Sequence, residues 1–174
     1  MKKLIVILYN IRSSYNVGAI LRTCDAFGVD QVYFTGYTPF LDKGLPHEQA
    51  KLAKQIHKTA LGAEQTVNWQ RADDITTLIS QLQADGVRVV ALEQGSHSHN
   101  LAAGYQPDYN MALILGEEVH GIPPAILRQC DELLEIPMCG QKESFNVSVA
   151  AGIALWELRK AKLNDKRKYL RKPE

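Results

Sequence analysis

The chain has 174 residues, 45% of them apolar and 22% charged, with a formal net charge of +1. Those values describe a globular domain of ordinary size with enough chain to bury a real core, and they exclude a disordered or low-complexity polymer. The total charge says little, but its distribution says more: after Glu157 the sequence reads LRKAKLNDKRKYLRKPE, so the body of the protein is net acidic. Such a tail is either a solvated, frayed helix end or a contact for a phosphate backbone. Cys24, Cys130 and Cys139 are odd in number and form no C-x-x-C pair, which suggests neither a disulfide framework nor a metal site and fits a reducing compartment. The opening MKKLIVILYNIR is too short for a membrane span and lacks a small-residue cleavage site, so a cytoplasmic protein is expected.

Residues 4–10 (LIVILYN) form a continuous β-rich run and predict a buried strand. A helix follows, with Asn16 as a suitable N-cap and Val17, Ile20, Leu21, Cys24 and Phe27 on one apolar face. Gly28 stands where a helix C-terminal glycine belongs. Gly18, Arg22 and Asp25 share the other face. A glycine one turn before an arginine clears room for something large beside the guanidinium, and a helix N-terminus attracts anions. The plainer alternative is a surface arginine paired with Asp25, worth a few tenths of a kcal/mol, that is roughly 0.3.

QVYFTGY (31–37) predicts a second strand, Thr38 to Leu45, with Pro39, Gly44 and the following Pro46, a loop, and 47–61 a helix. The following GAEQTVNWQ reads as irregular. His47 and His57 have no metal-ligand spacing with a third candidate. Residues 72–86 predict an amphipathic helix with an Asp-rich start and a glycine stop, 87–93 a strand, and 94–110 a loop with a short turn. MALILGEEVHGIPPAIL (111–127) reads as strand, tight turn and helix, and DELLEIPM (131–138) as the last strand. A polar loop, Gly140 to Asn146, then leads into a helix over 147–158 that is apolar nearly all round and is therefore expected to be buried nearly all round. Ala150, Ala151 and Gly152 would let another backbone come close, a plausible use for a glycine that costs about 1 kcal/mol in a helix.

Strands and helices alternate throughout, which predicts an α/β fold: a mostly parallel sheet flanked by helices, as one domain over residues 1–160 with a basic C-terminal tail at 161–174. In such sheets ligands sit outside the carboxyl ends of the strands, where Gly116–Gly121 and Met138–Asn146 both fall. No G-x-G-x-x-G follows the first strand, and neither a phosphate-loop lysine, a Ser-His-Asp elbow nor a zinc signature is present.

Three strand-end loops remain. They read Asn16-Val-Gly-Ala-Ile-Leu-Arg22, then Leu-Gly116-Glu117-Glu118-Val-His-Gly121, then Ile136-Pro-Met138 through Ser144-Phe145-Asn146-Val-Ser-Val-Ala150. In this order they resemble the three motifs of SPOUT-superfamily RNA ribose methyltransferases of the TrmH type, over nearly the whole chain. Phe145 departs from the usual leucine between the serine and asparagine but keeps the position apolar. The appended N-terminal RNA-binding domain usual in the family is not in this sequence.

The resemblance implies a C-terminal trefoil knot from about Gly116 through the last helix, although true knots are almost absent among folds. It implies S-adenosyl-L-methionine as cofactor, bound in the knot around Leu92, Gly116, Ile136, Met138, Phe145 and Asn146, and no metal. It implies a homodimer whose active sites are completed by both subunits, with the helix 147–158 at the interface. The expected reaction is methyl transfer to a ribose 2′-hydroxyl of RNA, tRNA favoured over rRNA. Arg22 would be the activating residue, with Asn16, Glu118, Ser144 and Asn146 positioning it, the ribose and the cofactor. Arginine is essentially never deprotonated in proteins, so Arg22 is expected to stabilise the developing alkoxide or to fix a phosphate that takes the proton. The alternatives are a catalytically silent RNA-binding or ribosome-assembly protein on the same dimeric scaffold, and a generic nucleotide-binding α/β domain, which leaves the Ser144–Asn146 loop unexplained.

Overall fold

The computed structural model describes residues 2–41 and 47–163. Its strands are β1 (Leu4–Tyr9), β2 (Gln31–Thr35), β3 (Trp69–Ala72), β4 (Arg88–Leu92), β5 (His99–Asn100), β6 (Met111–Leu115) and β7 (Glu132–Glu135). The α-helices are α1 (Ser14–Ala26), α2 (His47–Ala60), α3 (Ala63–Thr66), α4 (Ile75–Ala84), α5 (Pro124–Leu127) and α6 (Val147–Leu163). The strands form one sheet in the order β3-β2-β1-β6-β4-β7-β5, and every pairing is parallel. Parallel pairing requires long crossovers, and these put helices on both faces. Most of the basic tail lies outside the described residues.

Period-two alternation divides the core. Leu4, Val6 and Leu8 of β1 and Leu113 and Leu115 of β6 face α1, α2 and α6, meeting Val17, Ile20, Leu21, Ile56, Ala151 and Leu155. Ile5, Ile7, Ala112 and Ile114 point the other way, onto Ile75, Leu78, Ile79 and Leu82 of α4 and Ile126 of α5. Because β1 and β6 are central and covered on both sides, they read as unbroken apolar runs. Among the described residues no helix is long and apolar enough to cross a membrane.

Several expectations need correction. The stretch after α2 is not irregular: it contains α3 and the edge strand β3, whose Trp69 packs edge-on against Phe34 at 5.5 Å. The next helix starts at Ile75 rather than at 72, because the Asp74 carboxylate accepts the Thr77 N–H at 2.6 Å and caps it. The loop 94–110 contains the two-residue strand β5 and a single 3₁₀ turn at Leu101–Ala103, and β7 stops at Glu135, leaving 136–138 unpaired. α1 is capped by Ser13, whose Oγ accepts the Asn16 N–H at 3.3 Å, so Asn16 is not the N-cap.

Gly18 clears room for another helix. A Cβ there would lie 2.1 Å from Thr59 Oγ1 and 2.3 Å from the Ile56 carbonyl oxygen of α2. Asp25 does not pair with Arg22; its Oδ1 accepts the Thr66 hydroxyl at 2.6 Å. α6 is buried on one side only. Val149, Ile153 and Trp156 are 49%, 36% and 53% exposed, and among the described residues a Cβ on Gly152 would meet nothing within 4 Å.

Candidate active site

The site lies at the carboxyl ends of β1, β6, β4 and β7, where four loops converge. After β6 the chain turns back on itself through an antiparallel bridge between Glu117 and Gly121, closed by the Gly121 N–H to the Glu117 carbonyl at 3.0 Å. The turn needs its glycines: Gly121 sits at φ +64°, and a Cβ on Gly116 would come within 2.5 Å of Ile122 Cγ1. Glu93, just past β4, holds the turn from outside, its carboxylate accepting the Ile122 N–H at 3.0 Å and the Gln94 N–H at 3.0 Å.

Glu118 is the hub. Its carboxylate accepts the backbone N–H of Arg12 at 3.0 Å and of Ser13 at 3.3 Å, and Nδ2 of Asn16 at 2.8 Å. Partial burial pushes its pKa up, but the hydrogen bonds from Arg12, Asn16 and Ser13 outweigh that, and the carboxyl is held below its usual range. Asn16 Oδ1 in turn accepts Nδ2 of Asn146 at 3.3 Å. Asn146 Oδ1 accepts the backbone N–H and the hydroxyl of Ser148, capping α6. One polar chain thus joins the first turn of α1, the turn after β6 and the start of α6.

Beside this chain opens a cavity of about 550 Å³. Leu92, Gly116, Glu118, Ile136, Met138, Ser144 and Phe145 all line it. Asn16 and Asn146 stand outside its lining but are hydrogen-bonded to Glu118 and to each other. Arg22 is not brought in: it is exposed on α1, about 9 Å further along the axis than Asn16, and does not line the cavity. Glu93 lines the cavity and the Arg12 N–H is bound by Glu118, though neither stands out in the sequence; the signal for each was its place one or three residues past a strand end.

Among the described residues the lining carries the carboxylates Glu93, Glu117, Glu118, Glu135 and Glu143 and neither lysine nor arginine. Its apolar wall is Leu92, Leu115, Ile136, Met138 and Phe145. A cavity of this size, with an apolar slot and an acidic rim, suits a ligand that combines a flat ring with positive charge. Among the described residues no group of three or more His, Cys, Asp or Glu could hold a metal ion.

The chain is similar to known proteins over most of its length. Residues 3–156 match the SpoU rRNA Methylase family. The chain is 32% identical to the tRNA (guanosine(18)-2'-O)-methyltransferase of Aquifex aeolicus over 158 residues, 90% of this chain and 68% of that enzyme. It is 34% identical to the 23S rRNA (guanosine-2'-O-)-methyltransferase RlmB of Salmonella typhi over 154 residues, 88% of this chain and 58% of that one, so it spans little more than half of the latter relative's length. The crystal structure of an AdoMet-bound rRNA methyltransferase from Sinorhizobium meliloti superposes with a TM-score of 0.78 at 27% identity, covering 91% of this chain and 56% of that chain. With the match running over residues 3–156, most of its length, the chain belongs to the SpoU rRNA methylase family.

Proposed function

We propose that the chain is an S-adenosylmethionine-dependent RNA methyltransferase acting on a ribose 2′-hydroxyl. The observation that carries this reading is the Glu118–Asn16–Asn146 chain set against the acidic cavity. S-adenosylmethionine supplies, when bound, an electrophilic methyl group on a positively charged sulfur. The residues present fit it: Leu92, Ile136, Met138 and Phe145 offer an apolar slot for the adenine, and five carboxylates offset a ligand of net positive charge. Gly116, which cannot carry a side chain there, would present its backbone to the ligand.

Asn16, Asn146 and Ser144 orient the ribose, and Glu118 fixes Asn16 in place. The 2′-hydroxyl oxygen gains negative charge as its proton passes to a neighbouring phosphate or to water, which readies it to attack the methyl. Arg22 stabilises that charge, or holds the phosphate, as a permanent cation. Because Arg22 does not line the cavity of its own chain, it acts in the cavity of a second copy. The exposed stripe Val149, Ile153 and Trp156 supports such a homodimer, since it repeats at helical spacing and lies beside α1 through the Trp156–Phe27 contact at 6.2 Å.

The trefoil knot belongs to the same proposal, with the segment from about Gly116 threaded so that 116–121 and 136–146 share one cavity. The 2′-hydroxyl target makes the substrate RNA rather than DNA. A compact dimer favours tRNA, with the basic tail at 161–174 meeting its phosphates in the cytoplasm. Titration calorimetry with S-adenosylmethionine, with the mass measured in solution, tests the reading. Saturable binding to a dimer is expected; a well-folded chain that does not bind it is a silent RNA-binding protein instead.

A further inference from the structure

Tyr37 is 55% exposed, yet its backbone is tied to the end of the neighbouring strand. Asn10 Oδ1 accepts the Tyr37 N–H at 3.2 Å. Asn10 itself lies at φ +56°, an uncommon conformation for a residue with a side chain, and Gly36 lies at φ +61°. A Cβ on Gly36 would fall 1.8 Å from that same Asn10 oxygen. One residue on, the buried Thr38 hydroxyl donates to the Leu8 carbonyl at 3.0 Å and accepts the Ile11 N–H at 3.0 Å. The ends of two neighbouring strands, β1 and β2, are therefore locked together beneath a ring that faces water. Such over-determined backbone concentrates at functional sites.

The loop that carries Asn10 runs on to Arg12, whose guanidinium reaches the carboxylate of Glu117, a wall of the cavity, at 3.7 Å with its own side chain 60% exposed. Tyr15, in the first turn of α1, is also exposed. An exposed aromatic ring on a held backbone, with a guanidinium nearby that reaches the cavity wall, makes a surface on which an unpaired base stacks and beside which a phosphate binds. A ribose whose 2′-hydroxyl enters the cavity leaves its base outside, near this surface.

We propose that Tyr37, with Arg12 beside it, is the platform on which an unpaired base adjoining the target ribose stacks. This rests on the methyltransferase reading and adds a specificity-determining residue to it. The test compares the wild-type chain, Tyr37→Ala, Tyr37→Phe and Tyr37→Trp, each with S-adenosylmethionine and bulk tRNA. Tyr37→Ala is expected to raise KM for tRNA about tenfold with cofactor affinity unchanged. Tyr37→Phe, which keeps the ring, stays near wild type. The Tyr37→Trp emission, after subtraction of the wild-type signal from Trp69 and Trp156, is quenched when tRNA is added. An unchanged KM in Tyr37→Ala overturns the platform, as does an equal loss in Tyr37→Phe, which would assign the effect to the hydroxyl. Should the wild type methylate no RNA, the activity reading fails separately, and anisotropy of labelled tRNA still decides the platform: equal affinity for wild type and Tyr37→Ala overturns it.

Discussion

Oε1 of Glu118 accepts a 2.8 Å hydrogen bond from Nδ2 of Asn16, a residue 102 positions earlier in the chain. The same carboxylate accepts two backbone N–H groups ahead of α1. One side chain from the turn after β6 therefore fixes both the start of α1 and the amide that reaches Asn146. Replacing it by glutamine puts a donor where three donors already point, which leaves groups unpaired.

Glu118→Gln is expected to lose stability, with a defined pH signature. The folded carboxyl titrates below its ordinary value, so its contribution is fully present above about pH 5 and is lost as pH falls through the folded pKa. Urea midpoints of wild type and variant should differ at neutral pH and converge in acid. A difference that stays constant to low pH contradicts the assignment.

Gly18→Ala sets two effects against each other. Alanine in a helix gains about 1 kcal/mol over glycine, but the added methyl would lie 2.3 Å from a backbone oxygen of α2 that cannot swing aside. Overpacking of this kind costs roughly 1–3 kcal/mol, so a net loss in urea unfolding is expected. A variant as stable as the wild type would show that α2 shifts freely.

Arg22→Ala is expected to lower kcat by roughly 10²- to 10³-fold, the range for losing a charge-stabilising donor, while S-adenosylmethionine still binds. Loss of cofactor binding as well would make Arg22 structural. Mixed dimers of Arg22→Ala and Asn146→Ala chains should recover activity, because one of the two sites regains both groups. No recovery means that Arg22 serves its own chain's cavity.

Trp156→Glu places a charge in the exposed stripe of α6. Light scattering should then report a monomer with a wild-type far-ultraviolet spectrum and no transferase activity. An unaltered dimer would show that another face makes the interface.

The sequence made the central strands legible because β1 and β6 are covered on both sides and so read as unbroken apolar runs. Gly28 also sits where expected, at φ +60° after α1. β3 escaped because an edge strand of mixed polarity, Trp-Gln-Arg-Ala, shows no period. The cap of α1 was misplaced because Ser13 and Asn16 are both good capping residues; what decides between them is Glu118, which takes the Asn16 amide from across the fold. The polar chain could therefore be named by its members but not by its bonds. α6 misled for another reason: an apolar stripe reads the same whether the core or a second copy covers it.

The most direct measurement incubates the protein with methyl-labelled S-adenosylmethionine and, in separate reactions, bulk tRNA and rRNA, digests the RNA to nucleosides and resolves them by mass spectrometry. The account predicts label in a 2′-O-methylnucleoside, absent with Arg22→Ala. Label on a base, or none transferred to tRNA or rRNA by a chain that binds the cofactor, would contradict it.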